Sequence, residues 1–261
     1  MRLDPLGLHQ QHAMTSLASA LSDAGNVQFL RLRWTSDKML ASFLATVFGQ
    51  NESVATLEVD DESGRDRDSV TATVWNNFWK ARKGMRNVDM FSFTHCKNAA
   101  LTSSVIQNAP INASHLSLRG CDVDLTGAMA LCRQMERASG LRHIDLSKCF
   151  MKKPDLMHVA KGVKHTKTLL TLTLAELDLD TGSVVALSEA LKFNRSLTSL
   201  DLSGNSLDVE SCKALGLALA LNKTIHSVAL HRCQMSATGL EDLQRIKREN
   251  VTLLGVPPRK D

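Results

Sequence analysis

The 261-residue sequence contains no unbroken apolar run approaching the roughly 18 residues that a membrane-spanning helix requires. It has no phosphate loop, no HExxH, no GxSxG and no CxxC, so the short motifs that mark nucleotide, metalloprotease, serine-hydrolase and zinc or redox chemistry are all missing. Six cysteines without paired spacing read as reduced thiols. The first residues lack the compact apolar stretch of a secretory leader, and Asp4 with a single early arginine makes a poor transit peptide. These absences lead to the expectation of an intracellular, cytoplasmic protein with no enzyme activity, no cofactor and no metal. Hydrophobic residues at 43% and charged residues at 22% are globular proportions, and 31 basic against 27 acidic side chains leave a net charge of only +4.

An internal repeat is present. Leu141, Ile144 and Leu146 share one spacing with Leu169, Leu172 and Leu174, with Leu197, Leu200 and Leu202, and with Ile225, Val228 and Leu230, so the period is 28. Upstream the same pattern runs through Ala113, Leu116 and Leu118, then Val88, Phe91 and Phe93, Val54, Leu57 and Val59, and Val27, Leu30 and Leu32. Val251, Leu254 and Val256 offer a last strand. A second set of columns, Ala128, Leu156, Val184, Cys212 and Leu240 with Leu131, Val159, Leu187, Leu215 and Leu243, has the three-residue offset of one helical face. Each unit is a strand, a turn and an amphipathic helix. None can bury its apolar face alone, so the units must stack into one continuous core.

The pattern LxxLxLxxN/C followed by a helix, in units of 28, resembles the leucine-rich repeat family in its ribonuclease-inhibitor-like form, from about residue 13 to 256. The resemblance implies a single α/β domain, a horseshoe-shaped solenoid with a parallel concave sheet of about nine strands and convex helices. Its units are 1–26, an N-terminal capping half-repeat, then 27–53, 54–87, 88–112, 113–140, 141–168, 169–196, 197–224 and 225–250, and finally 251–261 as terminal strand and tail. The asparagine of the family's pattern stands only at Asn205; Cys96, Cys121, Cys149 and Cys233 replace it, and Leu177 drops the polar group. Buried thiols fill such a corner as small hydrophobes; a metal or redox ladder is the other reading.

Two irregularities interrupt the repeat. Leu17 and Leu21 precede Val27 at the offsets by which Leu187 and Leu191 precede Leu197, so residues 13–24 are a repeat helix without a matching strand before it: a cap, or the opening of a piece of a longer array. The 54–87 unit carries a polar loop from Asp60 to Asp68 and a helix from Ser69 whose Val70, Val74 and Phe78 face the core. Trp75 and Trp79 form a second stripe there, as extra packing or as exposed anchors.

Residues between the leucines point out of the concave sheet. One row is Glu58, Ser92, Ser117, Asp145, Thr173 and Asp201, and the next is His115, His143, Thr171, Ser199 and Ser227. His115 and His143 with Asp145 could hold a metal or move a proton, or be solvated histidines on a polar sheet. From Arg142 to Lys167 seven basic residues meet two acidic ones, and Lys80, Arg82, Lys83 and Arg86 form a second basic cluster. The leading expectation is a non-catalytic protein-protein interaction module or adaptor that contacts its partner through Arg31, Arg33, Trp34, Trp75, Trp79, Lys80, Arg82, Lys83, His115, Arg119, His143, Asp145, Asp201 and His231. The alternatives are a structural subunit of a large ribonucleoprotein or cytoskeletal assembly, with the basic clusters docked on RNA, and a GTPase regulator resembling Ran GTPase-activating protein. That last family usually carries a long acidic C-terminal segment, whereas this sequence ends Val-Pro-Pro-Arg-Lys-Asp261.

Overall fold

A computed structural model describes residues 2–3, 8–34, 37–61, 82–110, 112–137, 140–247, 249 and 251–256. In chain order its elements are β1 (Arg2–Leu3), α1 (Leu8–Asp23), β2 (Phe29–Trp34), α2 (Asp37–Gln50), β3 (Thr56–Asp61), a 3-10 helix (Arg82–Asn87), β4 (Met90–Thr94), α3 (Ala99–Asn108), β5 (His115–Ser117), β6 (Asp122–Val123), α4 (Leu125–Arg137), β7 (His143–Asp145), β8 (Phe150–Met151), α5 (Lys153–His165), β9 (Thr171–Thr173), α6 (Thr181–Phe193), β10 (Ser199–Asp201), β11 (Ser206–Leu207), α7 (Val209–Leu221), β12 (Ser227–Ala229), β13 (Gln234–Met235), α8 (Ala237–Ile246) and β14 (Thr252–Leu254).

Ten strands form one parallel sheet in the order β1-β2-β3-β4-β5-β7-β9-β10-β12-β14. The strand leucines and the two helix columns meet between sheet and helices: Leu116, Ile144, Leu172, Leu200 and Val228 are buried, as are Leu131, Val159, Leu187, Leu215 and Leu243. Neighbouring helices pack side by side along the array. Cut anywhere, such an array exposes an apolar cross-section, so each coil depends on the next.

Buried asparagines and short polar caps fix where each coil turns. Asp124, Asp180, Asp208 and Ser236, again 28 apart, accept the backbone N–H three residues on and so start α4, α6, α7 and α8. Lys152 breaks that column; α5 starts without a side-chain cap, with proline in its first turn. At the opposite corner Asn194 donates to Val163 O and accepts from Leu197 N, and Asn222 repeats this with Leu191 O and Ile225 N.

Three expectations need correction, and one feature is additional. A strand, Arg2–Leu3, does precede α1 and pairs with Arg33 and Trp34. The polar loop does not begin at Asp60, because β3 runs on to Asp61, whose side chain is buried. The last strand sits one residue out of the expected register: Leu253, not Leu254, lies opposite Val228, and Leu254 is exposed. Two small sheets in the turns leading from the strands into the helices, β6 with β8 and β11 with β13, were not foreseen. The helix with Trp75 and Trp79 and the remainder of the expected loop lie outside the described residues.

Candidate functional site

The strand register brings the outward side chains into continuous rows. Arg31, Glu58, Ser92, Ser117, Asp145, Thr173 and Asp201 are consecutive cross-strand partners, and Phe29, Thr56, Met90, His115, His143, Thr171, Ser199 and Ser227 form the adjoining row. Between Thr56 and Thr173 they line a shallow groove of about 160 Å³, open to solvent, with Met90, His115, His143 and Asp145 among its walls.

The two imidazoles are stacked, with ring centroids 4.2 Å apart and planes inclined by 18°. Parallel neighbours are about 4.8 Å apart, which places flat side chains in face contact. Ser114 Oγ lies 2.6 Å from His115 Nδ1. Partial burial first, then the neighbouring His115 and Arg142, pull the pKa of His143 down, so the stack favours the uncharged imidazole. In-plane lone pairs of stacked rings lie in nearly parallel planes and do not converge on one ion. Asp145 does not complete a metal site, since its Oδ1 accepts the Ser147 backbone N–H at 2.8 Å and the Ser147 hydroxyl. Asp201 braces the next-but-one coil in the same way through Ser203 N. Among the described residues no three His, Cys, Asp or Glu side chains gather as a metal site.

At the N-terminal end of the concave face, Arg31 Nε is 3.2 Å from Glu58 Oε2, an exposed pair of small energetic weight. Arg33 follows two residues on and is exposed; Trp34 closes the strand, with its side chain outside the described part. Trp75, Trp79 and Lys80 lie outside the described residues, and of Arg82 and Lys83 only the 3-10 backbone is described. Arg119 is half-buried, and its carbonyl accepts His95 N. His231 is exposed, its ring lying where a Cβ at Gly255 would fall.

Sequence reasoning did not single out the rim after each strand. His95, Gly120, Lys148, Glu176, Gly204 and Arg232 all have positive φ, between 55° and 73°. The backbone N–H of the first five donates to a carbonyl of the next coil at 2.8 to 2.9 Å. The side chains of the four non-glycine residues meet polar partners along this rim, with His95 Nδ1 2.7 Å from Asp60 Oδ1, and Lys148 and Arg232 both on Glu176. The 28-residue recurrence of these turn positions was visible, but five different residue types occupy them.

The corner thiols act as inter-coil donors. Cys121, Cys149 and Cys233 direct Sγ at Phe93 O, Leu118 O and Leu202 O, at 3.2, 3.0 and 3.3 Å. Asn205 makes the equivalent bond to Leu174 O and also accepts from Leu177 N and Leu179 N. Burial pushes the Cys96 and Cys149 thiols up to about 12 and that of Cys121 well above its ordinary value, the opposite of a reactive thiolate.

This geometry, a right-repeating strand and helix around a leucine core, defines a leucine-rich repeat solenoid. Two stretches, residues 114–132 and 193–216, match the family model described as Leucine Rich repeat. Among solved structures, the chain titled leiomodin-1 actin-binding site 2 is 14% identical, with 60% of this chain and 77% of that chain covered at a TM-score of 0.40. A search of curated proteins gives no match. Among the described residues no helix is long and apolar enough to cross a membrane.

Proposed function

We propose that the chain is a non-catalytic protein-interaction module, an adaptor of the ribonuclease-inhibitor-like type, that holds a partner protein on its concave sheet. The observation carrying this reading is the groove around the His115 and His143 stack, where flat imidazoles, exposed Met90 and a hydroxyl-rich wall lie side by side, with exposed Phe29 further along the same row. Such a mixture suits many weak contacts around a few flat anchors, the usual anatomy of a protein interface. The 28-residue unit supports the subfamily assignment, and the rows of cross-strand partners supply a surface wide enough for a folded partner.

The test is affinity capture with cross-linking and mass spectrometry, comparing wild type with a His115→Ala, His143→Ala, Met90→Asp variant, each with and without nuclease. A discrete protein that cross-links to the concave strands, resists nuclease and is lost by the variant is the expected result. Capture that the variant leaves intact, or that nuclease abolishes, overturns the concave-face reading.

A further inference from the structure

A second surface lies on the convex side, independent of the concave groove, at the C-terminal ends of α5, α6 and α7. Phe193 is 60% exposed, Leu221 58% and Leu217 43%, large apolar side chains left open to solvent. Phe193 and Leu221 occupy equivalent positions 28 residues apart on adjacent helices, whose axes pack about 8–10 Å apart. Leu217 and Leu221 are one turn apart on α7 and share a face. The three side chains therefore make one continuous apolar strip rather than scattered exposures.

The charge around that strip is mainly basic. Lys161, Lys164, Lys167, Lys192, Arg195 and Lys223 border it, and the acidic side chain among them is Glu189, which pairs with Lys192. Lys164 Nζ sits over the Phe193 ring, 4.7 Å from its centroid, so cation and apolar surface are physically joined. Helix C-termini favour basic residues in general, yet the neighbouring helices end in mixed charge: Glu136 lies between Arg133 and Arg137 on α4, and Arg245 pairs with Asp242 on α8. Around the ends of α5 to α7 the basic side chains Lys161, Lys164, Lys167, Lys192, Arg195 and Lys223 outnumber the one acidic side chain among them, Glu189.

We infer that the α5–α7 edge is a docking surface for an acidic amphipathic helix of a partner protein. The apolar stripe of such a helix, at i, i+3 or i+4 and i+7, seats on Phe193, Leu217 and Leu221. Carboxylates on its flanks meet Lys161, Lys164, Arg195 and Lys223. Steering by this field makes association fall with ionic strength, whereas the apolar strip holds the helix once it is docked.

The test uses the full chain and a phage-displayed library of random 16-residue peptides. Selection runs on wild type with counter-selection on Phe193→Ser, Leu217→Ser, Leu221→Ser, and the selected peptides are then titrated against Lys161→Glu, Lys164→Glu as a second variant. These positions are exposed, so both variants should fold cooperatively, with only a small drop in melting temperature from the lost Lys164–Phe193 contact and, in the lysine variant, from acidic charge at the end of α5. Enriched peptides should carry acidic residues on both sides of a helical apolar stripe and should lose on the order of tenfold or more in affinity against either variant. Enrichment of basic or featureless peptides, or no enrichment that depends on Phe193, Leu217 and Leu221, overturns the proposal. Strip-dependent sedimentation with phosphatidylserine vesicles, or self-association abolished by the same substitutions, overturns it in favour of a membrane or a second copy. Loss of this binding with concave capture intact separates the two surfaces.

Discussion

The side-chain oxygen of Asn205 accepts the backbone N–H of Leu177 at 3.0 Å, across the boundary between two coils. Leu177 is the corner that brings no polar side chain of its own, and the following coil supplies what it lacks. Asn205 is buried and also serves Leu174 O, Leu202 O and Leu179 N. Asn205→Ala removes these bonds from Leu174 O, Leu177 N and Leu179 N, while Leu202 O keeps the Cys233 thiol; a buried backbone group left unsatisfied costs about 1–3 kcal/mol. A stability loss of about 3 kcal/mol or more is expected in urea unfolding. Asn205→Cys keeps the inter-coil donor seen at the other corners and should lose clearly less. Equal losses from the two substitutions would sink the idea that the thiols replace the donor function of asparagine.

The thiols should be chemically silent in the folded chain. A thiol with a pKa of about 12 is ionised to roughly one part in ten thousand at pH 8. Titration with a thiol-specific chromogenic reagent should show Cys96, Cys121 and Cys149 unreactive over minutes and all six cysteines reactive in urea. Rapid labelling of Cys121 or Cys149 in native conditions would contradict their assigned burial.

Acid should weaken the solenoid in two separate windows. The folded pKa of His143 lies below its ordinary 6.5, so the unfolded chain binds more protons between the two values, and stability is lost as pH falls through that interval. The caps Asp180 and Asp208 have depressed pKa values, chiefly through hydrogen bonds from Ser183 to Asp180 and from Thr181 and Ser211 to Asp208. Their contribution is present above the unfolded carboxylate pKa and disappears as pH drops through the folded values. Melting curves across pH should show both steps, and His143→Gln should remove the upper one alone. An unchanged upper step in that variant would move its origin elsewhere.

Gly204 cannot take a side chain without disturbance. Its φ is +73°, and a Cβ there would come within 2.6 Å of Glu176 Cγ. Gly204→Ala should cost about 1–2 kcal/mol from the left-handed backbone alone. It also displaces Glu176 from Lys148 and Arg232, and thermal melts of the double variant Gly204→Ala, Glu176→Gly should recover part of the loss. Full stability in the single variant would refute the packing described.

The leucine columns were readable because strand and helix each impose a fixed spacing, and burial then selects apolar residues at those positions. What escaped had weaker or conflicting patterns. β1 is two residues long with one leucine, too short to carry a period. The final strand has apolar residues in both phases, at Val251, Leu253, Leu254 and Val256, so only pairing with Val228 fixes its register. Thr166, Asn194 and Asn222 recur every 28 residues, yet a polar residue after a helix reads as ordinary loop. At the concave face the adjacency of His115 and His143 follows from the register, whereas ring stacking depends on side-chain rotation that spacing does not encode. Asp145 and Asp201 were read as contact residues. The repeated Asp-Leu-Ser at 145–147 and 201–203 was the available sign that each carboxylate holds its own turn.

The two-stranded ladders in the strand-to-helix turns have a mechanical consequence. β6 and β8 tie one pair of coils, β11 and β13 tie another, and the coil between them, with Leu177 and Leu179, belongs to neither. That same coil holds two non-glycine residues in left-handed geometry, Glu176 and Asp178. Along its axis the molecule therefore behaves as two stiffer springs in series, joined at a softer link that Asn205 fastens from one side. A load applied to the ends is carried equally by every coil, and the extension it produces is greatest at that link.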